Sequence, residues 1–396
     1  ELDEGFTIKE AIEEAKRCLN CKNPLCIKGC PIENNIPGFI HQLSMGNIGA
    51  AMHIINEKSN LPAICGRVCP HEKQCVGHCV LNAKKRPIQV GKLERFAADF
   101  DGNMGLIRDK IPQKTRGKVA VIGSGPAGLT VAGDLAREGF NVMIFEGEQE
   151  AGGVLMYGIP EYRLPKDVVR KEVKKIEALG VTFITQCMVG QAITVDDMFE
   201  QGFDAVFIGS GTALPKSLDT PGYTLRGVTQ SSYFLRMASL CNTGSIGREE
   251  VPVKQGDIVG VIGGGNVAMD AARTALRMGA GKVYVLFRRT MDQMSALQTE
   301  YNEAVEEGVE FLWETTVTEF IGSNGKLEKI RVKTPEGENF MPIDRILLAI
   351  GSRPANRIVS TTSGIEVDDT GYVITKERPY GCLLYTSPSP RDLSTS

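Results

Sequence analysis

The chain has 396 residues, of which 42% are apolar and 23% are charged, and its formal net charge is −3. This length allows two to four domains with separate cores, and the composition is typical of a globular protein. The small net charge excludes a general attraction to nucleic acid or to an anionic membrane. The longest apolar runs, such as 119–122 and 346–350, are too short to cross a bilayer, and no signal peptide is recognisable.

The first hundred residues are predicted to be helical and contain most of the cysteines. Helical patterns cover residues 7–17, 36–57 and 93–100, and a linker is predicted over 101–118. Eight of the eleven cysteines lie between residues 18 and 79. Disulfide frameworks serve small secreted domains, whereas several hundred residues of α/β sequence follow these cysteines. The cysteines therefore indicate metal ligation in a reducing compartment, and we expect a cytoplasmic location.

The cysteine spacing favours iron–sulfur clusters over zinc. The two groups are Cys18-x2-Cys21-x4-Cys26-x3-Cys30-Pro31 and Cys65-x3-Cys69-x5-Cys75-x3-Cys79. The first group is similar to the ferredoxin-type run in which the cysteine before proline ligates a different cluster. Zinc ribbons usually have two matched C-x2-C pairs, which these unequal spacings do not provide. Eight thiolates suffice for two four-iron clusters, and zinc is the alternative.

A dinucleotide site is predicted where a strand over 118–122 enters a glycine-rich turn and then a helix. The turn reads Gly123-Ser-Gly125-Pro-Ala-Gly128. Gly123 permits the tight turn, Gly125 lets the backbone approach a pyrophosphate, and Gly128 allows the helix to pack closely on the strand. Glu146 ends the next strand, where an acid can accept hydrogen bonds from both ribose hydroxyls. This combination favours FAD binding over a purely structural turn.

A glycine-rich loop over residues 152–160 follows, and its backbone amides are predicted to face an isoalloxazine ring. Two further strand-to-glycine turns, at 206–211 and 347–351, are predicted to be the points where the chain crosses between domains. The second nucleotide-binding domain is therefore expected to be an insertion within the first.

The second strand–turn–helix–strand unit differs from the first at one position. Its turn reads Gly263-Gly-Gly265-Asn-Val-Ala268, and the next strand ends in Arg288 and Arg289 instead of an acid. Two guanidinium groups at this position can bind the 2′-phosphate of NADPH in a bidentate manner. The arginine pair therefore predicts NADPH rather than NADH, and the alternative is a solvated strand end.

The order of cysteine domain, FAD turn and inserted NADPH turn resembles the small (beta) subunit family of bacterial glutamate synthase. It equally resembles the NADPH-binding subunit of the NADH-dependent ferredoxin:NADP oxidoreductase (sulfide dehydrogenase) and the N-terminal half of dihydropyrimidine dehydrogenase. The resemblance covers about residues 5–376. Its most specific parts are Cys-Gly-Arg-Val-Cys-Pro (65–70), Gly-Lys-Leu-Glu-Arg-Phe (91–96), Gly-Gly-Gly-Asn-Val-Ala-Met-Asp (263–270) and Phe-Arg-Arg-Thr (287–290).

The fold class expected from the motifs and the resemblance is α/β. An N-terminal helical iron–sulfur domain precedes two Rossmann-like domains, the second inserted in the first, and the chain is expected to be truncated at its C-terminus. The predicted bounds are 1–112 for the iron–sulfur domain, 113–225 and 341–378 for the FAD-binding domain, 226–340 for the NADPH-binding domain, and 379–396 for a non-native tail. The Ser/Thr/Pro-rich composition of that tail is typical of vector-derived sequence.

The resemblance also implies site residues. One cluster would use Cys18, Cys21, Cys26 and Cys79, and the other would use Cys30, Cys69, Cys75 and an oxygen of Glu94. Cys65 would be spare, and the alternative for Glu94 is an ordinary surface carboxylate. The residues predicted to contact FAD or NADPH are Val68, Gly123, Gly125, Pro126, Ala127, Gly128, Glu146, Gly153, Val154, Leu155, Arg163, Val189, Gly211, Gly263, Gly265, Asn266, Val267, Ala268, Arg288, Arg289 and Gly351.

Two departures from the family pattern are visible. After the arginine pair the family usually reads Met-Pro-Ala-Arg, whereas this chain has Met294-Ser-Ala-Leu297. One cationic contact to NADPH is therefore expected to be missing. The C-terminal Gly-Gly-Asp turn of the family is also not found, so FAD binding is expected to be weakened.

The predicted function is that of an NADPH-oxidising flavoprotein subunit, as in glutamate synthase. Electrons would pass from NADPH through FAD to two 4Fe-4S clusters and then to a larger alpha-type catalytic subunit. The alternatives are a ferredoxin-linked subunit of the ferredoxin:NADP enzyme, a dihydropyrimidine dehydrogenase subunit, and a non-catalytic zinc-bearing adaptor. No catalytic acid, base or nucleophile is predicted, because hydride transfer is the chemistry of the cofactors themselves.

Overall fold

The computed structural model describes residues 5–106, 111–355 and 357–374. The predicted non-native tail at 379–396 lies outside these ranges, as does the end of the family resemblance at residue 376. The described chain forms two compact units. The first contains the residues up to Met156, Tyr162–Gly211 and those from Ala355 onward, and the second contains Tyr157–Glu161 and Thr212–Pro354. Within the described ranges, no helix combines the length and apolar character needed to cross a membrane.

The first unit begins with a helical region around one apolar core. Its elements are α1 (Ile8–Lys16), α2 (Leu25–Lys28), α3 (Ile36–Ser44), α4 (Ile48–Asn56), α5 (Pro62–Val68), a 3-10 helix (Val80–Lys84) and α6 (Val90–Met104). Helix α1 starts at a capping box, in which the Thr7 hydroxyl accepts a hydrogen bond from Glu10 N and the Glu10 carboxylate accepts one from Thr7 N. The apolar faces of these helices bury Phe39, Ile40 and Met52 completely.

Helix α6 is longer than the sequence analysis predicted. It continues through residues 101–104, which were assigned to a linker, and that assignment was wrong. The buried face of the helix extends to Asp101, and the helix ends where Gly105 takes a left-handed φ of 63°. Glycine adopts this conformation without steric cost, so the helix terminates there rather than at the first charged residue.

A four-stranded parallel sheet follows in the first unit, with the strand order β3-β2-β1-β4. Its strands are β1 (Lys118–Ile122), β2 (Asn141–Phe145), β3 (Thr182–Ile184) and β4 (Ala205–Ile208). The helices of this region are α7 (Pro126–Arg137), α8 (Val154–Tyr157), α9 (Lys166–Ala178) and α10 (Val195–Glu200). The apolar strand β1 lies between β2 and β4, so the turn after β1 opens at the carboxyl edge of the sheet, where such folds bind nucleotides.

The second unit contains a five-stranded parallel sheet in the order β6-β13-β7-β8-β9. Its strands and helices in chain order are β5 (Leu214–Pro215), β6 (Val228–Gln230), α11 (Ser231–Asn242), β7 (Ile258–Ile262), α12 (Asn266–Arg277), β8 (Lys282–Leu286), α13 (Gln298–Glu306), β9 (Glu310–Leu312), β10 (Thr316–Ser323), β11 (Lys326–Thr334), β12 (Gly337–Pro342), β13 (Arg345–Leu348) and β14 (Ser352–Arg353). Strands β10, β11 and β12 form an antiparallel sheet, and β14 pairs with β5. The first unit resumes with α14 (Arg357–Ser360).

Strand β13 corrects one predicted domain assignment. It pairs with β6 on one side and with β7 on the other, so residues 345–348 belong to the second sheet and not to the FAD-binding segment predicted at 341–378. Ile346, Leu347 and Leu348 are buried in this unit. A buried parallel strand is apolar on both faces, and the sequence pattern therefore does not tell which of two parallel sheets it joins.

Candidate functional site

The first glycine-rich turn contains contacts that only glycine allows. Gly123 has a φ of +93°, and a Cβ there would lie 2.6 Å from the carbonyl oxygen of Gly209. A Cβ on Gly128 would lie 1.9 Å from the Gly123 oxygen, so α7 approaches β1 this closely only with glycine. Gly125 precedes α7, whose first residues are Pro126 and Ala127, and it provides no side-chain cap. The uncapped amides of α7 fit a pyrophosphate group.

The acid at the end of β2 is fixed beside this turn by hydrogen bonds. Oε2 of Glu146 accepts bonds from the Ser124 hydroxyl at 2.5 Å and the Ser124 amide at 2.9 Å. Oε1 accepts one from the Glu148 amide at 2.9 Å. The carboxylate is buried, and Oε1 keeps acceptor capacity for a ribose hydroxyl. The sequence analysis did not identify Ser124, although a hydroxyl inside the turn was a signal that could have been used.

The glycine-rich loop after Glu146 lies directly against the turn. Gly153 has a φ of +53°, and a Cβ there would lie 3.0 Å from Cα of Gly125. Val154 is 55% exposed, whereas Leu155 is buried. The carbonyl of Leu155 accepts a 2.9 Å hydrogen bond from Nζ of Lys166, which is itself buried. The loop is thus held in place by a lysine that the sequence analysis did not predict.

The remaining predicted FAD residues occupy separate positions. Val68 ends α5 and Arg163 lies before α9, and both are partly exposed. The Val189 side chain is buried in an apolar cluster, so only its backbone is available to a ligand. Gly211, with a φ of +66°, lies at the end of the first unit, whereas Gly351 follows β13 in the second unit. The contacts of these five residues with a cofactor stay predictions.

The second glycine-rich turn has the same construction in its own unit. Gly263 has a φ of +147°, and a Cβ there would lie 2.4 Å from the oxygen of Ala349. Gly265 precedes α12 without a side-chain cap, so the first amides of this helix are open to an anion. Asn266 and Val267 begin the helix, and Ala268 is completely buried. A small residue is required at this last position because the helix packs on β7.

The arginine pair follows β8 beside this turn. Arg288 and Arg289 are both exposed, and no carboxylate of the described residues pairs with either. A Cβ on Gly264 would lie 2.5 Å from the ring of Phe287, which shows how closely the residue before the pair approaches the turn. Two unneutralised guanidinium groups next to a glycine-rich turn with open helix amides fit a ligand that carries more than one phosphate group.

The segment that departs from the family pattern is also part of this turn. The amides of Ser295 and Ala296 donate to the carbonyl oxygen of Gly264 at 3.1 and 3.0 Å. The amide of Leu297 donates to Oδ1 of Asn266 at 2.9 Å. The Leu297 side chain is buried, so it supplies apolar contact at the position where the family usually has an arginine.

The structure brings the first predicted set of cysteine ligands together. Cys18, Cys21, Cys26 and Cys79 line one cavity, whose other walls are mostly apolar. The cavity opens between α2, α3 and the 3-10 helix Val80–Lys84. The sequence separation of Cys79 from the other three is closed by packing, since a Cβ on Gly29 would lie 2.5 Å from the ring of His78.

Two members of the second predicted set, Cys30 and Cys75, lie near a buried carboxylate. Glu94 is 8% exposed on α6, so it is not an ordinary surface carboxylate. Burial, together with the neighbouring Cys65 thiol, raises its pKa well above the usual range. Its charge in turn contributes to the raised pKa values of Cys30 and Cys75, for which burial is the larger cause. Within the described ranges, no side chain donates a hydrogen bond to the Glu94 carboxylate, and none forms an ion pair with it.

Cys65 and Cys69 complete this group. The Ser59 hydroxyl lies 4.0 Å from the sulfur of Cys65, and the sulfur of Cys69 lies 3.5 Å from Oε1 of Gln74. A hydrogen bond with Cys69 and burial raise the pKa of Cys65 well above that of a free thiol. Cys65 therefore lies beside the predicted second ligand set, and its role as a spare cysteine stays a prediction.

The electrostatics of both cysteine sets fit a group that carries positive charge. Burial raises the pKa of Cys26 to about 11 and that of Cys75 to about 12, so thiolates at these positions require a compensating cation. Among the residues that the structure describes, no three Cys, His, Asp or Glu side chains converge on the position of a single metal ion. Cysteine thiols that line one cavity are the ligand type that an iron–sulfur cluster requires.

Comparison with known protein families accounts for both parts of the chain. Residues 1–106 match the family of dihydropyrimidine dehydrogenase domain II with a 4Fe-4S cluster, and residues 117–379 match the pyridine nucleotide-disulphide oxidoreductase family. The FprA protein of Mycobacterium tuberculosis, in a structure with NADPH, shares the fold with a TM-score of 0.54 at 19% identity, covering 64% of this chain and 74% of that one.

Two curated relatives cover most of the chain. The glutamate synthase (NADPH) small chain of Halomonas elongata is 35% identical over 396 residues, covering 94% of this chain and 83% of the relative. The NAD-dependent dihydropyrimidine dehydrogenase subunit PreT of Escherichia coli is 34% identical over 354 residues, covering 89% of this chain and 82% of the relative.

Proposed function

The chain belongs to the family of the glutamate synthase NADPH small chain, and from this membership we propose that it oxidises NADPH on behalf of a larger catalytic subunit. It is an oxidoreductase that joins a 4Fe-4S domain to a pyridine nucleotide-disulphide oxidoreductase domain. The observation that carries the proposal is that each unit has a glycine-rich turn after a strand of its own parallel sheet, and that the first unit also has a cysteine-lined cavity. When bound, NADPH, FAD and the iron–sulfur clusters supply the hydride transfer and the one-electron steps.

The second unit would select and orient the nicotinamide dinucleotide. The first amides of α12, beginning at Asn266, have no side-chain cap and would bind the pyrophosphate, and the helix dipole favours an anion there. Arg288 and Arg289 would bind the 2′-phosphate, which distinguishes NADPH from NADH. Leu297 is uncharged, so Arg288 and Arg289 would provide the discrimination between NADPH and NADH.

The first unit would hold FAD by the same means. The first amides of α7 would donate hydrogen bonds to the pyrophosphate, and the Glu146 carboxylate would accept a hydrogen bond from a ribose hydroxyl. Ser124 orients this carboxylate through two hydrogen bonds. Lys166 fixes the carbonyl of Leu155 and so sets the shape of the loop beside the flavin position.

The ligands of the clusters and their number are part of the proposal. Cys18, Cys21, Cys26 and Cys79 would hold one 4Fe-4S cluster in the cavity that they line. A second cluster would be held by Cys30, Cys69, Cys75 and Glu94. Glu94 is buried and accepts no hydrogen bond from a described side chain, which supports a ligand role.

The partner is the remaining part of the proposed function. The glutamate synthase relative is a small chain, which implies a larger chain that carries out the synthase reaction. A second candidate is a dihydropyrimidine dehydrogenase subunit, because PreT matches with comparable identity and coverage. The name of PreT specifies NAD, whereas the arginine pair of this chain favours NADPH, and this difference favours the first candidate.

The test is anaerobic purification followed by analysis of iron, sulfide, zinc and flavin, and then titration with NADPH and NADH. We expect brown protein with flavin and iron–sulfur absorbance that NADPH bleaches at lower concentration than NADH. Addition of a glutamate synthase large chain with glutamine and 2-oxoglutarate should give continuous oxidation of NADPH with formation of glutamate. A colourless, zinc-loaded preparation that NADPH does not change would reject the proposed function.

A further inference from the structure

The two chain segments that line most of the first cysteine cavity are rich in Lys and Arg, although Glu14, Glu33, Glu72 and Glu94 flank them. Residues 15–32 and 73–93 supply most of the cavity walls, and they contain nine Lys and Arg but no Asp or Glu. The whole chain, by contrast, has a net charge of −3. Positive charge is therefore concentrated in the region where the cysteines lie, and the remainder of the chain is acidic.

Packing brings these two segments together. A guanidinium nitrogen of Arg17, the residue before Cys18, donates a 2.7 Å hydrogen bond to the carbonyl of Arg86. Lys22 directly follows Cys21, Lys28 ends α2, and Lys84 ends the 3-10 helix that begins at Val80. The cations of both segments thus lie close in sequence to residues that line one cavity.

Arg17 pairs with Glu14 at 2.6 Å, but four of the lysines have no such partner among the described residues. Lys22, Lys28, Lys84 and Lys85 are exposed, and none of them forms an ion pair with a carboxylate of the described residues. Unpaired positive charge of this density repels itself, and it attracts an acidic surface over distances comparable to the Debye length.

The mouth of the cavity also exposes large apolar side chains. Leu19 is 62% exposed, Leu25 is 45% exposed and Val80 is 43% exposed, and all three line the cavity. Grouped exposed apolar residues with a charged border are typical of a protein–protein contact site. Their position over the cysteines places such a contact where electrons would leave the chain.

We propose that this surface docks the acidic face of an electron-accepting protein that carries its own redox centre. The docking surface is defined as Leu19, Leu25, Val80, Lys22, Lys28 and Lys84. The inference rests on the proposed function and adds the chemistry of the partner. Oxidation of one NADPH to NADP⁺ and H⁺ releases two electrons, which pass one at a time to the redox centre of the docked acceptor. The lysines steer the encounter, and the apolar centre excludes water from the contact.

The experiment uses the full chain loaded with its cofactors and a strongly acidic flavodoxin as the probe. The rate of flavodoxin semiquinone formation from NADPH is measured anaerobically at low and high salt. The charge-reversed variant K22E/K28E/K84E is compared with K171E/K174E/K333E, which changes the net charge equally at exposed lysines outside the docking surface. We expect the first variant to lower the low-salt rate by about tenfold or more, and salt to lower the wild-type rate similarly. Reduction of a neutral quinone should be the same in all three proteins.

Equal flavodoxin rates in the two variants, or a wild-type rate that salt does not change, would overturn the proposal. Binding of single-stranded DNA that is lost in K22E/K28E/K84E, with flavodoxin transfer intact, would assign the surface to nucleic acid and also overturn it. The milder variant K22Q/K28Q/K84Q, with thermal unfolding measured in parallel, separates docking from misfolding. Flavodoxin binding by surface plasmon resonance needs no turnover, so the docking proposal is tested even if NADPH fails to bleach the flavin.

Discussion

The hydroxyl of Ser124 donates a 2.5 Å hydrogen bond to Oε2 of Glu146. The same hydroxyl accepts a 2.9 Å hydrogen bond from the amide of Gly152. One side chain therefore connects the first glycine-rich turn, Glu146 and the glycine-rich loop that begins at Gly152. The geometry of all three depends on this small residue in the second position of the turn.

Replacing Ser124 by Ala should weaken FAD binding without unfolding the protein. A hydrogen bond to a charged group contributes about 1.5–3 kcal/mol, so we expect the dissociation constant of FAD to rise about tenfold or more. Flavin fluorescence quenching measures this constant. Ser44→Ala is the matched control, because the Ser44 hydroxyl bonds only within its own helix, to the carbonyl of His41. Equal FAD affinity of Ser124→Ala and the wild type would contradict the role of the hydroxyl.

Two glycine substitutions in the same turn should have different effects. Gly125 has a φ of −67°, and no described atom lies within 4 Å of its Cβ position, so Gly125→Ala should keep its thermal stability but lose FAD affinity. Gly128→Ala places its Cβ 1.9 Å from the Gly123 oxygen, so it should lower the unfolding temperature. Calorimetry and flavin content are measured together. Normal flavin binding by Gly125→Ala would show that the space above Gly125 is not occupied by a cofactor.

The double substitution R288A/R289A should change the coenzyme preference. Each charge-assisted hydrogen bond to a phosphate contributes about 1.5–3 kcal/mol, so KM for NADPH should rise at least about tenfold while KM for NADH changes little. Initial rates of quinone reduction give both constants. Arg353→Ala removes another exposed arginine and serves as the control. A parallel rise in both KM values would indicate that the pair acts on a part common to the two coenzymes.

The proposed cluster ligands can be separated by iron analysis. Cys18→Ala should lose about four iron atoms per chain, since it removes one ligand of one four-iron cluster. Cys65→Ala should keep its iron, because Cys65 lies outside both proposed ligand sets. Cys187→Ala, in an apolar cluster elsewhere in the first unit, is the control. Loss of iron from Cys65→Ala would make Cys65 a ligand and would exclude the set that uses Glu94.

The sequence allowed the local elements of the site to be predicted, and the outcome shows why. Strand β1 has the predicted bounds, because a short apolar run next to a glycine turn is encoded within a few residues. The predictions for helix α6 and strand β13 were less accurate. The length of α6 depends on a buried face, and the membership of β13 depends on which strand it pairs with.

The sequence by itself determined the two glycine-rich turns, the cysteine groups and the arginine pair, because each is a short pattern in which residue type fixes the local chemistry. Only the tertiary structure decided that Ser124 bonds to Glu146, that Lys166 supports Leu155, and that Glu94 is buried near cysteines distant in sequence. It also placed Cys79 in one cavity with Cys18. These contacts join residues that are far apart along the chain, and they form only when packing of the helices and sheets brings them within hydrogen-bond or van der Waals distance.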